Sequence, residues 1–509
     1  MTAWWRDAVV YEVYIRSFAD SDGDGVGDLE GIRQRLPHLV ALGVDALWLT
    51  PFYPSPMADH GYDVADYCDV EPVFGDLAAF DRLLAEAHAS GLRVVVDIVP
   101  NHTSSAHAWF QQALAGSAQA RARYVFRDGV DGGPPNNWLS VFGGPAWTQL
   151  PSGEWYLHLV DAGQPDLDWT HREVHEEFLR ILRFWLDRGV DGFRIDVAHA
   201  LHKNPTLADA ADPATAHESG RDVWDRDEVL EVYEQWRTLL DGYDGDRMMV
   251  GEVFLFDVPR IAEYVSDSRL HQAFNFTVMR TPWGAAALRE TVEAALEHFH
   301  PGTWVLSNHD LVRHVTRYGG GSLGRRRGLA VSALLFLLPG SPYLYQGEEL
   351  GLDEAVVPEA LRQDPVFHRG GGVGRDGCRT PLPWSSTEPG LGFTTGQPWL
   401  PFGEDAAALA VDLQEADPTS TLHAYRRLLA ARRELPPSLP ETATLLDVGE
   451  DLLAVRRGPL LAVLNTAAEA VDVPVAALGV GAVVVATADG ATVSGGVLTV
   501  PAASTVWLR

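Results

Sequence analysis

The sequence predicts an α/β fold: a closed (β/α)8 barrel of the TIM type, with an inserted domain after the third strand and an all-β domain at the C-terminal end. Two observations lead there. Eight short apolar runs of strand character alternate with amphipathic helical segments, and two irregular stretches interrupt that alternation before a strand-rich tail takes over. With 509 residues and 46% hydrophobic content, the chain is long enough for two or three domains and at least one large core.

In order, the strand-like runs are Val9–Ile15, Ala46–Leu49, Leu92–Val99, Gly192–Val197, Met248–Val253, Gln272–Phe276, Thr303–Leu306 and Tyr343–Tyr345. Between them, segments such as Leu77–Ala89, His175–Arg188, Glu228–Leu240 and Arg325–Leu338 repeat apolar residues at three- and four-residue spacing and often end near glycine. Residues 1–100 and 170–435 are therefore assigned to the barrel. Residues 101–169, rich in Gly, Pro, Asn and aromatics with little helical period, form the inserted domain. A second irregular stretch, 353–404, roofs the same end of the barrel. After a last helix near Thr421–Glu434, short runs at Leu452–Val455, Leu460–Leu464, Ala482–Ala486 and Gly496–Val500 mark a C-terminal β-sandwich over 436–509.

Thirty-nine basic residues against 70 acidic ones leave a net charge of −31, which repels phosphate backbones and anionic membranes and argues against a nucleic-acid partner. Cys68 and Cys378 are too few and too distant for a disulfide framework and read as free thiols. The first residues lack the pattern of a secretory signal, and Leu329–Leu338 is about half the ~20 residues a membrane span needs, so a cytoplasmic enzyme, monomer or homodimer, is expected.

Chemistry in a β/α barrel sits at the C-terminal ends of the strands. Polar clusters fall there four times: Asp97-Ile98-Val99-Pro100-Asn101-His102, Arg194-Ile195-Asp196, Gly251-Glu252-Val253 and Ser307-Asn308-His309-Asp310. Strand alternation puts Phe193, Ile195 and Val197 on one side and Arg194 with Asp196 on the other. In isolation that pair also reads as a structural ion pair at a strand end. Three carboxylates, Asp196, Glu252 and Asp310, with two histidines and an arginine but no reactive cysteine, suit cleavage of a glycosidic bond, one carboxylate attacking and one donating a proton. Arg194 is expected to hold Asp196 ionised, and the apolar neighbours Val253 and Phe254 to raise Glu252 for acid work.

These four stretches, in this order, resemble the α-amylase superfamily, glycoside hydrolase family 13, and within it the oligosaccharide α-glucosidase branch. Asp20 to Asp28, Met57 to Asp63, Tyr343 to Glu349 and Arg375 to Pro381 extend the likeness over nearly the whole chain. The resemblance implies a retaining double displacement on an α-glucoside, with Asp196 as nucleophile, Glu252 as acid and then base, and Asp310 on the 2- and 3-hydroxyls. It places Asp59, Tyr62, His102, Arg194, His309 and Arg379 around the same glucose, with Tyr62 as a stacking platform and Asp97 in support. An Asp59–Arg379 pair would close the pocket at the non-reducing end and impose exo-action. Phe142 and Gln164 are candidates for the acceptor side.

The acidic loop Asp20–Asp28 offers oxygens at alternate positions around a glycine, like the first part of a calcium loop, yet Gly31 stands where a bidentate glutamate would close an EF-hand. A solvated acidic turn is the other reading. The resemblance implies structural Ca2+ (or Mg2+) held by Asp20, Asp22, Asp24, Asp28 and the carbonyl of Val26. Val197 after the nucleophile points to α-1,6 bonds, whereas Ala198-His199-Ala200 resembles maltose-type enzymes, and the expectation leans to α-1,4. Transglucosylation, a non-catalytic amylase-like subunit and a metal-dependent barrel are the alternatives.

Overall fold

A computed structural model describes residues 3–370, 372–479 and 481–509. Eight parallel strands form the central sheet: Val10–Val13, Ala46–Leu49, Arg93–Ile98, Gly192–Ile195, Met248–Gly251, Gln272–Ala273, Thr303–Val305 and Ser341–Tyr345. Their order runs seven, eight, one, two, three, four, five, six. Strands six and seven share no ladder; the ring closes there through a side chain, Thr303 Oγ1 donating to the carbonyl of Ala273 at 2.6 Å. The architecture is thus an eight-stranded near-barrel.

Several strands are shorter than their apolar runs. The sixth run, Gln272–Phe276, is strand only over Gln272–Ala273, because Asn275 caps a helix, Phe276–Arg280, by accepting from the N–H of Thr277. Side-chain caps start other helices: Asp28 accepts from Gly31 N–H ahead of Leu29–Leu42, and Asp76 from Ala79 N–H ahead of Leu77–Ala89. Gly43 and Gly189 end Leu29–Leu42 and Arg172–Arg188 at φ 98° and 105°, a conformation that glycine adopts without a Cβ penalty.

Alternation along the strands sorts the barrel. One set of side chains, among them Tyr11, Leu47, Val96, Phe193, Ile195 and Met249, packs outward against the helices in the main core. The other set points inward, where Val10, Trp48, Val95, Val250 and Tyr343 fill the lower barrel. The same inward face continues upward to Glu12, Asp97, Arg194, Asp196 and Glu252. Asp97 and Arg194 are register partners, so the acid and the base meet side by side.

Between strands three and four lies a three-stranded antiparallel sheet, in the order Phe126–Arg127, Trp155–Leu157, Trp147–Gln149. Two helices that the irregular composition hides, Ala108–Leu114 and Ala118–Arg121, precede it. This unit grips the loop after strand four, with Asn137 donating to the carbonyl of Ala210 at 2.9 Å and accepting from its N–H at 2.8 Å. At the C-terminal end, a five-stranded and a three-stranded antiparallel sheet enclose their own core around Leu461, Val463, Leu498 and Val506. They sit on helix Gly321–Leu337, where Trp507 donates to Ala333 O at 2.8 Å. Among the described residues no helix is long and apolar enough to cross a membrane.

Candidate active site

Arg194 is the hub of the inward polar layer. Fully buried, it places Nη1 3.0 Å from Asp97 and 2.7 Å from Asp196, and Nη2 2.7 Å from Glu252 Oε2. Asp196 and Glu252 are thus held on the two terminal nitrogens of one guanidinium. This differs from the expectation that Arg194 holds Asp196 ionised while apolar neighbours surround Glu252: one guanidinium is shared by three carboxylates. Burial pushes the carboxyl of Asp196 well up, Arg194 pulls it back, and Glu252 and Asp97 push it up again. Asp97 is pushed up to about 7 by burial against the pull of Arg194, and its oxygens also accept from Trp48 Nε1 and the Tyr62 hydroxyl.

The turn after the strand is unusual. Val197 has φ 43°, a left-handed conformation that a β-branched residue holds only when its surroundings force it, at a cost of about 1–3 kcal/mol. The turn aims Val197 N–H at Glu252 Oε2 (3.1 Å). Arg194 is on the same oxygen, so Oε1 of Glu252 makes neither of these contacts.

Across the pocket, the arginines of the 375–381 motif divide their work differently from the resemblance. Asp59 pairs with Arg375 Nη2 at 2.8 Å, not with Arg379. Arg379 instead donates to Asp310 at 2.8 Å and to the carbonyl of His309 at 2.8 Å. Arg375 also reaches Asp310 (3.0 Å), lies 4.7 Å over the ring of Phe142, and is held by both oxygens of Asp364 at 2.9 Å. Two arginines four residues apart sit on one short helical turn; only its placement decides which one faces Asp59. Burial raises Asp59 to about 6 against the pull of Arg375 and Arg379. Burial also acts upward on Asp310, yet His309, Arg375 and Arg379 outweigh it and hold that carboxyl well below the usual range.

His309 lies flat between two rings, stacked on Tyr62 at 5.2 Å and on Tyr14 at 5.6 Å. Tyr62 therefore has one face against His309. His102 receives the amide of Asn101 at Nδ1 (3.1 Å) and faces Tyr62 O through Nε2; burial lowers it to about 4, so it is neutral at ordinary pH. Gln164 is not on the acceptor side: it is buried behind Asp59 and donates to its Oδ2 at 3.1 Å.

These groups bound a cavity of about 310 Å³. Asp59, Tyr62, His102, Asp196, Glu252, His309, Asp310 and Arg375 form one part of its wall; Phe142, Val197, Trp224, Phe254, Leu311 and Val366 add apolar surface, and His199 and His217 two further imidazoles. Arg194, Arg379 and Gln164 stand behind this wall. Sequence reasoning missed Arg375, Asp364, Glu12 and Trp224 as parts of the site; Arg375 lay within a quoted motif, whereas Asp364 and Trp224 belong to loops without a periodic signal.

Away from the cavity, carboxylate oxygens of Asp20, Asp22 and Asp28 lie within 4.8 Å of one another, and Asp24 is not part of that group. An all-oxygen set of this kind fits a hard divalent cation. Asp20 and Asp28 also accept several backbone N–H groups, among them those of Gly23, Gly25, Ser21 and Gly31.

A family profile described as the catalytic domain of α-amylase matches residues 12–439. The chain belongs to the α-amylase family. It is 42% identical over 498 residues to a probable α-glucosidase of Rhizobium meliloti, covering 91% of this chain and 87% of that one. It is 36% identical over 474 residues to an oligo-1,6-glucosidase of Parageobacillus thermoglucosidasius, covering 85% and 84%. Among solved structures, the α-glucosyl transfer enzyme XgtA superposes with a TM-score of 0.93 at 41% identity, covering 100% of this chain and 99% of the other. The trehalulose synthase MutB of Pseudomonas mesoacidophila does so at 0.92 and 30% identity, covering 100% and 99%.

Proposed function

We propose that this family member is a retaining, exo-acting α-glucosidase that releases α-glucose from the non-reducing end of maltose and short α-glucosides. The observation that carries the reading is the shared grip of Arg194 on Asp196 and Glu252 at the wall of a cavity that Asp59 and Arg375 close. Carboxyls gripped by the two terminal nitrogens of one guanidinium suit the close pairing of a retaining enzyme, roughly 5–5.5 Å, rather than the roughly 6.5–9.5 Å that an inverting enzyme leaves for water.

Asp196 attacks the anomeric carbon and forms a β-glucosyl ester while Glu252, through Oε1, protonates the leaving oxygen. Glu252 then takes a proton from water, which opens the ester with overall retention. Asp310, His309 and His102 bond the sugar hydroxyls, and the Asp59–Arg375 pair excludes a further ring.

Transfer to an acceptor other than water is the second reading, favoured by the apolar wall at Trp224, Phe254 and Leu311 and by the likeness to an α-glucosyl transfer enzyme. Asp20, Asp22 and Asp28 would hold Ca2+ or Mg2+ as a structural ion. Two unpaired thiols support a reducing, cytoplasmic setting.

Proton NMR on maltose and, separately, isomaltose tests the assignment. α-Glucose appearing first supports it, and the faster substrate sets the linkage. Growing oligosaccharides select transfer, and β-glucose first overturns the mechanism.

A further inference from the structure

Both ring nitrogens of His309 face carboxylates. Nδ1 is 2.5 Å from Glu12 Oε1, and Nε2 is 3.3 Å from Asp310 Oδ2. A neutral imidazole carries one N–H, so these three groups need a second proton to avoid a bare nitrogen against an anion. Asp310 is in contact with Arg375 and Arg379, which favour its ionised form. No arginine forms an ion pair with Glu12: it is 1% exposed at the end of the first strand, among the described residues His309 is its only ion-pair partner, and burial outweighs the longer-range pull of Arg194 and of the His309 backbone on its carboxyl. Arg194, Asp97, Asp310 and Tyr345 also face it from the fourth, third, seventh and eighth strands and their loops. The stack between Tyr14 and Tyr62 holds the ring plane but is indifferent to which nitrogen points where.

We propose that Glu12 is a positioning residue: as a neutral carboxylic acid it donates to Nδ1 of His309 and so fixes the ring with its Nε2–H directed at Asp310 and the sugar. Burial, which pushes the carboxyl of Glu12 up and His309 down, acts in the same direction. The bond is an ordinary O–H···N hydrogen bond. No proton is transferred, and the sugar meets a donor on one side and the Asp310 carboxylate on the other. The consequence for catalysis rests on the α-glucosidase reading; the tautomer does not.

The test uses enzyme labelled with 15N-histidine at neutral pH, with His309 assigned through a His309→Asn variant. The expected signal is a neutral ring protonated at Nε2 in the free enzyme, and an Nδ1–H ring or an imidazolium overturns the proposal whether or not the protein turns over any glucoside. In parallel, E12L should lower kcat/KM by about tenfold or more, as for a buried group left unpaired. E12Q, whose amide also donates to Nδ1, should recover most of that loss and keep the Nε2–H signature. An E12Q enzyme as impaired as E12L, at unchanged melting temperature, would mean that a carboxylate acceptor is required and would refute the neutral acid.

Discussion

Replacing Arg375 by glutamine removes the cation that Asp59, Asp310 and Asp364 share and leaves a side chain that can still hydrogen-bond. Asp59 is the group whose response can be worked out. Burial already raises it to about 6, and Arg375, 2.8 Å away, is the main force opposing that rise. Loss of an adjacent opposite charge moves a carboxyl by about 1–3 pH units, so in the variant Asp59 should titrate between about 7 and 9, with Arg379 keeping the shift toward the lower end. Ionised Asp59 accepts hydrogen bonds on both oxygens and protonation turns one of them into a donor, so activity falls as pH drops through its pKa. The acid limb of kcat/KM for an aryl α-glucoside, where Asp59 sets it, should therefore move up by at least about one unit. Profiles from about pH 4 to 9, with the fold checked by circular dichroism, measure it. Asp196 is not in contact with Arg375, so its own titration stays put. An acid limb that moves by less than about half a unit would refute the coupling of Asp59 to Arg375.

Asp196→Asn should leave less than about 1% of turnover with the fold intact, as expected for a covalent nucleophile, and higher residual activity removes it from that role. Glu252→Gln should slow maltose far more than an activated aryl glucoside, and equal losses would deny it the acid's part. Removal of divalent cations should lower stability by about 2.7 kcal/mol if the site was saturated a hundredfold above its Kd, and with it the melting temperature, without changing kcat well below that temperature. A chelator-treated enzyme that melts unchanged argues for a plain acidic turn. Glu348, buried beside Glu349 and Tyr425, is raised to about 8 from 4.5 by burial. Its folded form keeps the proton that the unfolded chain releases, so stability should fall as pH rises from about 4.5 to 8 and level off above. Glu348→Gln should flatten that slope by a few kcal/mol in urea titrations, and an unchanged slope assigns it elsewhere.

What the sequence determined by itself is whatever a local period carries. Alternation and three-to-four spacing located eight strands and their helices, since each must present an apolar face on both sides of the barrel wall. The same alternation correctly put Arg194 with Asp196, because neighbours two apart on a strand cannot help sharing a face. Residues fixed to strand ends, Glu252 and Asp310 among them, follow from that frame.

Tertiary structure alone decided the partners of long, charged side chains. An arginine spans several ångströms, so Arg375 and Arg379, on one turn, could each reach Asp59; the loop from 364, anchored through Asp364, chose Arg375. Arg194 serves three carboxylates because strands three and five flank it in register, which no one-dimensional spacing reports. Gln164 moved from the acceptor side to the back of Asp59 for the same reason: the inserted domain folds over the barrel, and only its closure sets that distance. Glu12 looks in sequence like one more acid in an apolar run, and it acquires meaning only where barrel closure brings its side chain, from the first strand, to 2.5 Å from that of His309 after the seventh.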